Sequence, residues 1–377
     1  MLIRGARIAL SASEAVRKDL WVYGGRVSFL RVPEAEGENL DLEGCMVVPG
    51  LINAHDHLEL NLLPRLGRGR YKNASEWARD IYHPEEAPIK QHLAVPKPTR
   101  LLWGGIKNLL CGVTTVAHHN ELDASLFESS FPVRVVRRFG WAHSLAFSDD
   151  WKERFRMTPA DWPFVMHAAE GTDQSARSEL KTLAEAHALN DRTVLVHGVG
   201  IRGVDVPIIS DAKCSIIWCP TSNAFTLRRS LNTSVLHSGI PIALGSDSAM
   251  TAEGDLIDEM QAAHRFVSAK RIYEMVTVVA AKIFRLPHGF GRICEDGPAD
   301  LLVMKDMGQT PAKTLLNGIP ELVMVRGEVK MARGSEQTIE VEGRGCCWLG
   351  LDVARLARET KRHLGPELLL AGKRIAA

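Results

Sequence analysis

A chain of 377 residues accommodates one α/β barrel of roughly 250 residues plus a small annex. Its 45% apolar and 24% charged residues exclude wholesale disorder, and 46 Lys plus Arg against 45 Asp plus Glu give no field that would gather nucleic acid or an anionic membrane surface. The opening Met1-Leu2-Ile3-Arg4-Gly5 lacks a secretory head, and no apolar run approaches the roughly 20 residues of a membrane span. The seven cysteines are odd in number and scattered, without a CxxC pair, so they do not read as a disulfide frame or a thiolate metal site. The expectation is a folded cytoplasmic protein with neither nucleic acid nor membrane as partner.

In chain order, residues 1–48 carry short strand patterns, among them 20–30, where Gly24-Gly25 supplies the positive φ of a tight hairpin turn. From about 47 to 290 the texture changes to apolar runs of four to seven residues alternating with helical stretches. The runs are 45–48 continuing into 50–52, then 113–117, 133–136, 164–166, 193–196, 214–218 and 240–244. The helical stretches include 100–110, 173–188 and 256–267, each with apolar spacing of three and four. An eighth strand must fall between 137 and 163, where 141–147 is the one candidate and no helix fits before it. Residues 301–305 and 322–331 are again strand-like, the second bent at Arg326-Gly327. The fold class read from this pattern is α/β, a (β/α)8 TIM-like barrel over 49–295. A small β-sandwich annex is expected from 1–48 together with 296–345, and a helical tail from 346–377.

The informative residues are polar ones at strand ends. His55 and His57 follow the first core run, and alternate residues of an extended chain face the same side, their Cα atoms roughly 6.6 Å apart at about 3.3 Å per residue. Two imidazoles so placed can share one ion at bonds of about 2.0 to 2.1 Å. An isolated HxH is more simply a pair of polar strand-end residues. However, His167, His197 and Asp247 close three further runs at the rim where barrel active sites are built, and that coincidence makes core decoration a poor explanation. Glu170, three residues beyond His167, can overhang the rim. Alone it would be a solvated loop carboxylate, but beside an activated water it can carry a proton to a leaving group.

Other motifs carry less. Gly198-Val199-Gly200-Ile201-Arg202-Gly203 has GxGxxG spacing, but no acidic residue ends the next strand, where Trp218-Cys219-Pro220 stands. His118, His119, Asn120 and His143 are second-tier pocket candidates, for which packing is as good an explanation. Residues 71–98 read as a long loop with one helix over the exit of the first strand, a natural lid, with Trp77 able to face a ligand and Trp103 better placed in the core.

The strings PGLINAHDHL (49–58), GVTTV (112–116), HAAEG (167–171), VLVHG (194–198), CPTSN (219–223) and ALGSDS (243–248), in this order and spacing, resemble the amidohydrolase superfamily. Within it the chain is similar to the cytosine deaminase, guanine deaminase and triazine chlorohydrolase-like branch. The resemblance implies one divalent metal ion, zinc ahead of iron, held by His55, His57, His167 and Asp247. It implies Glu170, His197 and Asp247 as the catalytic set, with Glu170 as the acid/base of an HxxE motif. His197 polarises water or substrate in this branch and binds metal in binuclear relatives, so its role stays open. Those relatives also need a bridging Lys or Glu on the fourth strand, and 141–147 contains neither.

The implied activity is hydrolysis of a non-peptide carbon–nitrogen bond in a small molecule, foremost deamination of an aminated heterocycle by metal-activated water. Amide or cyclic-amide hydrolysis and chlorohydrolase-type displacement are the alternatives on the same scaffold. A non-catalytic interaction protein is the alternative from another class, which the complete ligand set and Glu170 disfavour. The resemblance also allows a homodimer.

Overall fold

The computed structural model describes residues 1–33, 39–334, 338–343 and 345–377, so parts of the expected annex at 34–38, 335–337 and 344 lie outside the described residues. Eight parallel strands form the centre: β1 (Leu51–Asp56), β2 (Val113–His118), β3 (Arg134–Val135), β4 (Gly140–Ser144), β5 (Phe164–Ala168), β6 (Thr193–His197), β7 (Ser215–Trp218) and β8 (Ile242–Leu244). They run as two arcs, β3-β2-β1 and β4-β5-β6-β7-β8. The arcs meet where the backbone N–H groups of Ser246 and Asp247 both donate to the His55 carbonyl, at 2.9 and 3.0 Å. At the other seam β3 is only two residues long, and the His119 ring donates from Nε2 to the Ala142 carbonyl at 3.0 Å. This is the TIM-like α/β architecture expected from the run pattern. The 141–147 candidate supplies most of β4, and the helix Trp151–Met157 follows rather than precedes it.

The strands are largely buried and mostly apolar because both faces are covered, the inner by barrel side chains and the outer by helices. Trp103, Phe164 and Trp218 are among the largest fully buried side chains. The helix Gln174–Glu185 starts on Asp173, whose carboxylate accepts from the Ala176 N–H at 3.0 Å, and buries Leu180 and Leu183. The helix Lys97–Leu110 is buried over most of its second half. At Gly245 a side-chain Cβ would sit 2.5 Å from His55 Cβ, so glycine lets β8 approach β1 at the rim.

Both termini supply strands to the annex. Cys45–Pro49 pairs antiparallel with Leu301–Lys305, which pairs in turn with Pro320–Val325. Gly24 and Gly25, at φ +56° and +74°, turn the hairpin between Leu20–Tyr23 and Arg26–Ser28. The tail departs from the helical expectation. It holds one helix, Val353–Leu364, between Gly345–Leu349 and a hairpin of Leu368–Leu370 with Lys373–Ala376 that extends the same sheet. Leu368, Leu370 and Ile375 are buried, and Ala371-Gly372 adopt φ +50° and +77° to make the turn. Strands this short lack a readable period and gain their partners only from the distant sheet. The helix itself docks through Thr360, whose hydroxyl accepts from the Trp103 indole N–H at 2.8 Å. Among the described residues no helix is long and apolar enough to cross a membrane.

Candidate metal centre and active site

Strand ends β1, β5, β6 and β8 deliver their polar residues to one buried point. His55, His57 and Asp247 offer ligand atoms within 4.8 Å of one another, and so do His55, His167 and His197, the two triads sharing His55. His55 Nε2 faces His167 Nε2 at 3.2 Å, and the Nε2 atoms of His55 and His57 lie 3.8 and 3.7 Å from Asp247 Oδ1. The four residues expected to hold a metal are therefore adjacent. His197, whose role the sequence left open, stands in the same cluster, its Nε2 3.8 Å from Asp247 Oδ2 and 3.6 Å from Glu170 Oε1.

The ring orientations follow from the outer nitrogens. His167 donates from Nδ1 to the His143 carbonyl at 2.7 Å, and His197 donates from Nδ1 to Asn223 Oδ1 at 2.8 Å, which leaves each Nε2 lone pair pointing inward. Burial first, then the neighbouring histidines, hold His55 and His167 well below the usual imidazole range, so they are neutral donors. Burial alone would raise Asp247. His197, His57, the Ser222 hydroxyl and the Ser248 N–H together outweigh it and keep the carboxylate below its ordinary range. Its hydrogen bonds come from Ser222 Oγ at 2.6 Å, Ser248 N at 2.8 Å and Thr251 Oγ1 at 3.1 Å. Three imidazole donors and one ionised carboxylate from three strand ends match the N/O donor set of zinc. The buried Nδ1 atoms of His55 and His57 have no hydrogen-bond partner among the described residues.

Glu170 shares the chamber. Burial pushes its carboxyl up to about 7, with His197 opposing and Asp247 reinforcing the rise. The Ala169 N–H beside it donates to Glu179 Oε2 at 2.6 Å, and its carbonyl accepts from the Gly200 N–H at 2.7 Å. The glycine-rich 198–203 segment thus packs against the Glu170 loop, where no dinucleotide motif is needed to explain it. Ala169, His197 and Asp247 all take positive φ, at +51°, +74° and +55°. Three non-glycine residues in the left-handed region around one centre mark backbone strain held for function.

A cavity of about 600 Å³ opens over this cluster, with His57, His143, His167, His197, Glu170 and Asp247 at its base. Leu60, Trp77, Ala78, Tyr82, Phe147 and Met250 make a largely apolar wall. The 71–98 segment does cover the exit of β1, but with two helices, Ala74–Ile81 and Ile89–Ala94, rather than one. Of the second-tier residues, His143 and Asn120 line the cavity. His118 turns away, its Nδ1 accepting from the Leu58 N–H at 3.2 Å and its Nε2 3.4 Å from Glu59. His119 is completely buried, its ring centroid 4.9 Å from that of His55 and 4.6 Å from that of His167.

Two supports were not legible in the sequence. Beneath the centre Lys107 Nζ lies 2.9 Å from Asp56 Oδ2 and donates to Asn61 Oδ1 and Ser246 Oγ, with Asn53 and Asn108 completing a buried polar plug. Its one signal is a Lys-Asn pair in an otherwise apolar helix stretch. Beside the centre, Glu259 accepts from the N–H and hydroxyl of Thr221 and so anchors the helix Pro220–Leu227, which carries Ser222 and Asn223.

The chain is similar to several known proteins. Residues 163–330 match the model of the Amidohydrolase family. A 5-methylthioadenosine/S-adenosylhomocysteine deaminase of Haloquadratum walsbyi is 24% identical over 80% of this chain and 83% of its own length. A 5'-deoxyadenosine deaminase of Methanothrix thermoacetophila is 23% identical over 78% and 83%. Among solved structures, the zinc complex of atrazine chlorohydrolase from Arthrobacter aurescens covers 96% of this chain and 99% of its own at TM-score 0.74 and 16% identity. A zinc-bound adenosine deaminase from Xanthomonas campestris aligns over 96% and 97%, again at TM-score 0.74 and 16% identity. Residues 163–330 are thus similar to the Amidohydrolase family, and most of the chain is similar to enzymes named as deaminases.

Proposed function

We propose that the protein is a metal-dependent hydrolase of carbon–nitrogen bonds that deaminates an aminated heterocycle. The observation carrying this reading is the seat of Glu170: a carboxyl held up to about 7, 3.6 Å from His197 and in one chamber with the imidazole–carboxylate cluster. His55, His57, His167 and Asp247 would hold the ion, zinc by the donor set and by the zinc-bound structures of like fold. When bound, such an ion supplies Lewis acidity that makes a water nucleophilic near neutral pH. Glu170 is the group that would take up a proton and give it to the departing nitrogen, which needs a carboxyl that changes state near neutrality. His197, its tautomer set by Asn223, presents Nε2 to the reacting carbon's substituent. Ionised Asp247 accepts hydrogen bonds and holds no proton of its own.

The apolar cavity, within the roughly 300 to 1,000 Å³ of ordinary ligand sites, suits a flat ring with an apolar substituent. The named relatives point to adenosine-type nucleosides modified at the 5' position. Displacement of chloride from a triazine is the second reading, supported by the structural likeness to atrazine chlorohydrolase. The test is release of ammonia or chloride by zinc-loaded protein across modified adenosines, pterins and chlorinated or aminated triazines. Glu170→Gln should retain zinc and lose about 10² to 10⁴ in turnover on any substrate hit. Undiminished turnover in that variant would remove Glu170 from the chemistry, and chloride release without ammonia would install the second reading.

A further inference from the structure

A second cavity, about 1230 Å³, lies on the outer side of the helix Pro220–Leu227. Its wall contains Arg65, Arg177, Arg202, Arg228, Arg229 and Arg265 and not one Asp or Glu. The arginines come from five separate parts of the chain: the loop after β1, the helix Gln174–Glu185, the loop after β6, the end of Pro220–Leu227 and the residues after the helix Leu256–Ala263. Two have carboxylate partners, Arg202 with Asp205 at 3.2 Å and Arg65 with Glu253 at 3.3 Å. Arg177, Arg228, Arg229 and Arg265 make no ion pair among the described residues. In a chain of formal net charge +1 this is a local concentration and not a reflection of overall basicity. Like charges gathered without counter-charge repel one another, and an anion bound among them relieves that repulsion.

The wall also offers flat surfaces. The Phe225 ring lies beneath Arg65, whose guanidinium carbon is 4.6 Å from the ring centroid, and Phe266 is 44% exposed. Guanidinium groups grip phosphate oxygens in planar, two-point fashion, and an aromatic face accepts a stacked ring. The six arginines surround one concavity of bounded volume in a sequence of balanced overall charge, which fits a small ligand better than a polymer. We infer that this cavity is a binding site for a phosphate-bearing small molecule of the nucleotide class, separate from the catalytic chamber and independent of the reaction assigned to it.

The test is titration calorimetry of zinc-loaded protein with inorganic phosphate, inorganic pyrophosphate and adenosine 5'-monophosphate, with zinc content measured before and after to exclude chelation. Two variants, Arg228→Ala/Arg229→Ala and Arg177→Ala/Arg265→Ala, change exposed side chains and should leave the melting temperature and basal turnover unchanged. The expected result is that pyrophosphate and the mononucleotide bind, that added salt weakens them, and that each double variant loses about tenfold or more in affinity. Absence of binding overturns the inference. So does binding that persists in both variants, which would place the anion on the metal centre. A wild-type dimer that dissociates in the variants, without anion binding, would assign the cavity to a second copy of the chain instead.

Discussion

Replacing Lys107 by Met preserves length and apolar volume while deleting the positive charge of the plug beneath the metal centre. Lys107 and Asp56 expose 3% and 0% of their side chains and stand 2.9 Å apart. After substitution the Asp56 carboxylate keeps its amide donors Asn53, Asn61 and Asn108 but has no counter-charge, and Asn61 Oδ1 loses its 2.8 Å donor. Removing one partner of a buried pair costs about 3 to 5 kcal/mol, far more than a surface pair. With unfolding entropy of roughly 2.1 cal/mol/K per residue, 377 residues give about 0.8 kcal/mol per degree, so Tm should fall by about 4 to 6 °C. Adding Asp56→Asn removes the stranded charge and should return part of that loss, a coupling that differential scanning calorimetry reads directly. A fall below about 1 °C in the single variant, or a double variant equal to the sum of the singles, would refute the reasoning.

Three further outcomes are expected. Gly245→Ala places a Cβ 2.5 Å from His55 Cβ and 3.0 Å from the His55 backbone, so it should cost about 1 to 3 kcal/mol in urea titrations and accelerate loss of zinc on dialysis, since β1 and β8 both carry site residues. Burial pushes the Glu259 carboxyl up to about 8, so the folded state binds a proton that the unfolded chain has released, and wild-type stability should fall as pH rises from the unfolded pKa of about 4.5 towards 8. Glu259→Gln lacks that titration, and its stability relative to wild type should grow between pH 6 and 8; parallel profiles would contradict the assignment. Dialysis against a chelator should abolish turnover and lower Tm, and zinc at about 100 times its Kd should restore both, with about 2.7 kcal/mol or roughly 3 °C regained. Full activity in metal-free protein would exclude the metal centre.

Much of the barrel was legible because buried parallel strands must be apolar along their whole length, which makes 113–117, 164–166 and 193–196 stand out, and because ligand-type residues at their ends break that rule. His55, His57, His167, His197 and Asp247 stood out on that ground and Glu170 by its place three residues beyond His167, and the six lie together in the structure. The short β3 and the strands of the tail were poorly legible, since two to four residues carry no period of their own.

Residue type and spacing along the chain therefore determined the architecture and the chemistry available at the rim, because strand alternation and helical period are local consequences of backbone geometry. Tertiary structure alone decided which ring nitrogens point inward, that His119 packs against His55 while the adjacent His118 turns to Glu59, and that Lys107 meets Asp56. It alone gathered arginines from five segments about one cavity. Tautomer, desolvation and convergence of charge depend on distances between residues remote in the chain, and those distances exist only once the strands have closed around the site.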